Sequence, residues 1–409
     1  MGVRHHVEVM EATDMRSLSR DAWHEKRGQG IRPNRVGRGW CRALLVLVCF
    51  GCLVAAPARA QRGAQPIASV PDATSRRAAN IAAPRLNERL TARELGLVIN
   101  TNDPYSVAVG EFYREARQLT EAQVLRVELP RRAELTPGEF EALQTRINAF
   151  FGPDIQALAL AWVEPFAVSC NSITGALALG YDSALCSKSC SPSRSSRYFN
   201  SPSARPYADL QMRPSMLLAA KDVAMAEAMI RRGVASDHTL GLRGAPDVHA
   251  HYLITADKAR SARAPLFPAP GRVKGFGVYI HVEEAEVLEG AARLLLYETG
   301  QVKVDKLDTL QWVPGGLGDH LTSSGGRLDG KYGQMSALEW IASGATGSYG
   351  TVSEPCSHPQ KFPHPQIVLL HYVQGATLIE AYWKSVLMPG QGIFIGEPLA
   401  APFRNGRSR

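Results

Sequence analysis

The side chains best suited to chemistry gather in the C-terminal third of the chain. Residues 314–326 read PGGLGDHLTSSGG and set five glycines around Asp319, His320, Thr322, Ser323 and Ser324. Glycines let the backbone approach a ligand closely, and free N–H groups can hold an anion. Ser, His and Asp together are the parts of an activated nucleophile, although triads are usually assembled from separate loops. A second group, EPCSHPQKFPH at 354–364, supplies Glu354, Cys356, His358 and His364. The expected catalytic set is His320 with Asp319 or Glu354, Ser323 as the hydroxyl, and His364 as a further base.

His249 and His251 would share one face of a strand, with Asp247 beside them. Zinc needs three or more ligands, so no metal and no cofactor is expected. The chain has no H-E-x-x-H, G-x-S-x-G, Walker A or calcium-loop motif.

These residues need elements to position them, and the chain reads as alternating α/β. The apolar run LGLVIN at 95–100 ends in Thr-Asn-Asp-Pro, the pattern of a buried parallel strand with a polar loop at its carboxyl end. A helix over 106–119, a strand over 124–129, a helix over 136–150 and a strand over 155–163 follow. The order strand–helix–strand predicts right-handed crossovers and a mostly parallel sheet with helices on both faces. No G-x-G-x-x-G follows the first strand, which argues against a nicotinamide dinucleotide fold. Farther on, helices are expected over 216–232, 283–298, 334–343 and 377–386, and strands over 251–256, 277–282, 310–313, 345–352 and 392–395. In an open parallel sheet ligands bind past the carboxyl ends of the strands. Residues 100–103, Glu164, 257–260, 315–326, 354–364 and Glu397 are all expected there.

Composition is that of a globular protein: 409 residues, 45% hydrophobic and 21% charged. The longest apolar run, residues 43–56, is shorter than the ~20 residues of a membrane span. It follows Arg32, Arg35, Arg38 and Arg42 and precedes Ala58-Arg59-Ala60, which together read as a secretory signal over 1–60. An exported protein, periplasmic or extracellular, is expected. Without that segment the chain holds 36 basic and 33 acidic residues, so its net charge falls from +8 to +3. Nucleic-acid binding loses its electrostatic support; an extracellular protein or polymer is the expected kind of partner. The expected organisation is a flexible leader over 61–87, a single α/β domain over 88–403 and a tail over 404–409.

Cys170, Cys186, Cys190 and Cys356 follow the expected signal. An even number in an exported chain implies up to two disulfides, with three pairings open. Three of the four lie in a Ser/Pro-rich stretch at about 170–214, read as a disulfide-containing surface insertion. Cys186-x-x-x-Cys190 has no second Cys/His pair nearby and does not read as zinc.

The chain resembles a family of uncharacterised exported bacterial proteins met in organisms with PEP-CTERM sorting systems. The resemblance spans roughly residues 95–403 and rests on LGLVINTNDPYSVAVGEFYREAR, IQALALAWVEPF, DHLTSSGG, QMSALEWIASGATGSYGTVSEPCSHPQKFPHP and TLIEAYWKSVLMPGQGIFIGEPLAAPF. It implies no activity. More distantly, the strand–helix order, the place of GATGSYGTV and the closing Gly-Glu-Pro are similar to gingipain-like cysteine peptidases, which implies a caspase-like fold. Those peptidases use a His-Gly after one strand and a Cys after the next. Here no His-Gly occurs, and the corresponding late strand ends in Pro314-Gly315-Gly316. Cys356 is the one late cysteine, with His358 near it.

Two readings follow. One is an exported hydrolase-like enzyme with a polar site at the strand ends, which requires His320, Ser323 and Glu354 to meet in one cleft. The other is a non-catalytic binding or assembly protein on a degenerate peptidase-like scaffold. A peptidase using Cys356 requires that cysteine to be free of a disulfide.

Overall fold

Residues 81–356 and 358–403 are described by the structure, a computed structural model. The expected signal, the first part of the leader and the tail lie outside the described residues.

β1 (Leu95–Asn100) is apolar and buried along its whole length, as a strand covered on both faces must be. α1 (Pro104–Ala116) starts where the Asp103 carboxylate accepts the Tyr105 N–H, with Pro104 at the first helical position. β2 (Val124–Val127) and β3 (Glu134–Leu135) follow. α2 (Pro137–Phe150) opens on a reciprocal Thr136/Glu139 cap. Next come β4 (Ala157–Leu160), β5 (Ala167–Val168), β6 (Asn171–Ser172), α3 (Ile173–Leu179), α4 (Ala184–Ser187), α5 (Pro206–Leu210) and β7 (Ser215–Leu217). Asp222 caps α6 (Val223–Ser236). The remaining elements are β8 (Val248–Ile254), β9 (Gly271–Val273), β10 (Val278–Glu284), β11 (Leu294–Thr299), β12 (Trp312–His320), α7 (Leu338–Ala342), β13 (Gly347–Thr351), α8 (Pro365–Val373), α9 (Leu378–Ser385) and β14 (Gly392–Gly396). A 3-10 helix, Arg260–Leu266, follows β8.

Eleven strands form one sheet in the order β2-β1-β4-β7-β14-β13-β12-β11-β8-β10-β9. β3, β5 and β6 make a separate small sheet. In the large sheet only β9–β10, at the edge, and β13–β14, in the middle, pair antiparallel. β2, β1, β4, β7 and β14 therefore point one way, and β13, β12, β11, β8 and β10 the other. The sheet is two parallel halves joined head to tail, so its carboxyl ends lie on two opposite edges. Each half has its own reversal of strand order, between β1 and β4 in one and between β8 and β11 in the other. In α/β sheets such reversals open the crevices that bind ligands.

Three expected elements are corrected. Residues 283–298, expected as a helix, are the end of β10, a turn through Gly290 in the left-handed region (φ +65°), and β11. The apolar run LLLY is a strand buried on both faces, whereas the Ala/Leu/Arg content of residues 283–298 favours a helix. Residues 216–217 belong to β7, and the helix begins only past Asp222. The glycine-rich stretch expected as a loop is mostly β12, which runs on to His320. Its glycines make room for rings: a Cβ on Gly316 would sit 2.7 Å from Trp312, and one on Gly318 2.5 Å from Trp340.

The segment after Cys170 is core at its start. Ile173, Thr174 and Ala176 of α3 are buried, as is Tyr198 farther along. Beyond α3 it carries Cys186, paired with Cys170, and Cys190, paired with Cys356, each pair with Cα atoms 5.1 Å apart. The second pair ties this segment to the loop after β13.

The pairs close loops of very different length, with sequence separations of 16 and 166. In the chain-entropy account the short loop stabilises by about 3 kcal/mol and the long one by about 5 kcal/mol. Urea melts of the paired serine variants should show C190S/C356S less stable than C170S/C186S. Equal midpoints would contradict the assignment, as would any free thiol at these four positions.

Candidate functional site

The crevice between β1 and β4 is an open cleft of about 440 Å³. At the end of β1, the Asn100 side chain accepts from Leu129 N–H (2.8 Å) and donates to Leu129 C=O (3.2 Å), which folds the turn after β2 against this strand end. Tyr105, at the start of α1, donates its hydroxyl to Leu218 C=O (3.0 Å) and accepts from Ala220 N–H (2.8 Å). That pair of bonds fixes the exit of β7 beside α1, and burial holds the phenol well above its usual range.

The walls are charged. Asp103, Arg131, Glu164, Lys221, Asp329 and Glu339 line the cleft, together with Tyr105, Val163, Leu328 and Leu338. Lys221 Nζ meets Glu339 at 2.7 Å, and Arg131 Nε lies 3.7 Å from Asp103. Asp329 is almost buried and lies 3.3 Å from Arg327. Among the described residues Glu164 is the lining carboxylate left over. Among the described residues no histidine or cysteine lines the cleft. It can bind and orient a polar group, but it holds no nucleophile–base pair of the Ser-His or Cys-His kind.

The second crevice, between β8 and β11, is plugged. The 3-10 helix after β8 drops Arg263 into it, 1% exposed. Arg263 Nη2 lies 2.6 Å from Asp319 Oδ1, and Nη1 lies 3.3 Å from Glu298 Oε2. The same guanidinium donates to the carbonyls of Thr299 (3.2 Å) and Pro363 (3.3 Å). Gly300 completes the seat, since a Cβ there would overlap the Arg260 backbone. Burial raises the Glu298 and Asp319 pKa values, and the Arg263 charge only partly opposes it.

The expected catalytic residues lie on this second edge and do not form one constellation. Asp319 and His320 are neighbours in β12, so their side chains leave opposite faces. Asp319 turns to Arg263. His320 turns to Trp340, whose indole N–H donates to Nδ1 at 3.0 Å. Burial, with help from the Arg263 charge, lowers His320 to about 3 and keeps it neutral. Ser323 is in the turn after β12, where its carbonyl accepts from the Thr351 hydroxyl (3.0 Å). Glu354 is exposed after β13 and accepts from Cys356 N–H (2.7 Å). His364 leads into α8 beside Pro363 and has a buried Nδ1 without a hydrogen bond. Cys356 is in a disulfide, and His358 donates from Nε2 to Cys190 C=O (2.6 Å). Glu397, at the end of β14, is taken up by Arg117 (2.5 Å) and Tyr113 (2.8 Å).

Sequence reasoning missed Arg263, Glu298, Arg131, Lys221 and Asp329. Glu298 carried a signal, a carboxylate at the end of the apolar run LLLY. Arg263, one of 36 arginines, carried none. No model of a known protein family matches the chain, and no curated protein matches it either.

The buried imidazole gives a pH signature. Unfolded His320 binds a proton below about pH 6.5, and folded His320 only near pH 3. Its folded pKa is depressed, so the stability it contributes is full above 6.5 and is lost as pH falls toward 3. At pH 4.5 the loss is about 2–3 kcal/mol. Urea melts at pH 7 and 4.5 should show a smaller acid loss for H320Q than for the wild type. The raised carboxyls Glu298 and Asp319 act in the opposite sense but cancel in this comparison. Equal acid losses would contradict a buried neutral His320.

Proposed function

We propose that the protein is an exported, non-catalytic binding protein on a peptidase-like scaffold, and that it holds a basic segment of an extracellular peptide or polymer in the β1–β4 cleft. The carrying observation is the contrast between the two crevices: one is sealed by its own arginine, the other is open and edged with carboxylates. Four lining carboxylates face two lining cations. Both cations are engaged by Glu339 and Asp103, so an incoming amine or guanidinium finds Glu164 available. The cleft volume lies in the range of small-ligand sites.

Export is supported by the two disulfides, which persist in oxidising compartments. No helix among the described residues is long and apolar enough to cross a membrane. Against a cysteine peptidase stands the engaged Cys356. The hydrolase reading around His320 lacks geometric support, because Asp319, His320 and Glu354 face three different surroundings.

Calorimetric titration with an N-acetylated, C-amidated trilysine tests this reading. The wild type should bind it more tightly than the same peptide acetylated on its side chains. E164Q should weaken trilysine binding about tenfold, or about 1.4 kcal/mol. Indifference of the protein to side-chain charge, or of binding to E164Q, would overturn the proposal.

A further inference from the structure

β8 and β10 lie side by side in parallel register, with His249 opposite Tyr279, His251 opposite His281 and Leu253 opposite Glu283. Side chains alternate across a strand. His249 and His251 therefore share a face with His281 and Glu283, while Ala250, Tyr252 and Ile280 enter the main core on the other face. The His251 and His281 rings stack at 4.2 Å, only 6° from parallel. Both Nδ1 atoms, of His251 and of His281, lie 3.8 Å from Glu283 Oε1. One ligand atom from each of the three residues falls within 4.8 Å of the others. His251 is 9% exposed, and its Nδ1 has no hydrogen bond.

We propose that His251, His281 and Glu283 form a binding site for a divalent transition-metal ion of the zinc class. Two imidazoles and one carboxylate are a known zinc ligand set and leave a coordination position open. Imidazole ligands favour zinc, copper or nickel over magnesium and calcium. A tetrahedral ion about 2.1 Å from each ligand needs ligand atoms about 3.4 Å apart. The two 3.8 Å separations close by a rotation of Glu283, which is 47% exposed, and the parallel imidazole rings must also turn so that both in-plane lone pairs meet at the ion.

His249 is a positioning residue. Its Nδ1 lies 3.0 Å from His281 Nε2. When His281 ligates through Nδ1, its Nε2–H donates to His249, and this fixes the tautomer and ring orientation. Asp247, the residue paired with His249 and His251 on sequence grounds, is not a ligand: Arg272 holds it at 2.8 Å. Sequence spacing showed half of this cluster. The other half arrives from β10, 30 residues beyond His251.

The full chain, purified without a tag, is titrated with Zn²⁺ by calorimetry and with Co²⁺ by visible absorption, each with magnesium present. The wild type should bind one ion, give the intense visible bands of low-coordinate Co²⁺, and rise in melting temperature with Zn²⁺. H251A and H281A should each weaken binding at least 100-fold. H249A should weaken it about 10–100-fold while keeping one ion per chain. E283Q, at an accessible position that leaves folding unchanged, should weaken Zn²⁺ binding and alter the Co²⁺ spectrum. Overturning results are absence of a stoichiometric ion in the wild type, undiminished binding in the H251A/H281A double variant, or a Co²⁺ spectrum that E283Q leaves unchanged.

Discussion

The antiparallel pairing of β13 with β14 is the constraint on which the architecture rests. It joins two parallel half-sheets that run in opposite directions, and so decides which strand ends can share a surface. The junction depends on small residues. A side chain on Gly350 would overlap the Gly325–Gly326 backbone, which crosses β13 at that point. Gly396 ends β14 with φ +144°, and a Cβ there would sit 2.5 Å from Thr346 O. Bulk at either position would push the halves apart before any functional group was touched.

From that reversal come two crevices with different fates. Arg263 fills the one between β8 and β11 and draws Glu298 and Asp319 to it. Charges so deeply buried are costly to leave unpaired, and removing one partner of such a set destabilises by about 3–5 kcal/mol. The cluster therefore locks the 3-10 helix to β11, β12 and the entry to α8. It does this with the acid that sequence patterning marks as catalytic. Among the described residues nothing plugs the crevice between β1 and β4. Asn100 and Tyr105 spend their polar atoms on neighbouring backbone, which keeps the rim in place beside the accessible carboxylates Glu164 and Glu339.

Much of the fold was legible in the sequence. β1, α1, α2, β4, α9 and β14 carry period, caps and breakers that agree with one another, and the mostly parallel α/β sheet follows from their order. What could not be read is strand direction in the second half, because nothing local separates β13 parallel to β14 from β13 antiparallel to it. That single unknown placed His320, Glu354 and Glu164 on one imagined edge. Glycines were read as loop-formers, whereas Gly316 and Gly318 serve the approach of Trp312 and Trp340. The site was legible only in part: Asp103 and Glu164 were placed at strand ends correctly, but Arg131, Lys221 and Asp329 come from loops without a pattern. His249 and His251 were visible as a pair, while their neighbours on β10 depend on a pairing that only the folded sheet supplies.

One crevice is sealed and the other open, and carboxyl reactivity reads that difference directly. Native protein is amidated with a water-soluble carbodiimide and glycinamide, then mapped by peptide mass spectrometry. Glu164 and Glu339 should label readily, and Glu298 and Asp319 only after unfolding. Labelling of Asp319 or Glu298 in the native protein at the rate of Glu164 would contradict the account, because Arg263 would then line an accessible site and not plug a crevice.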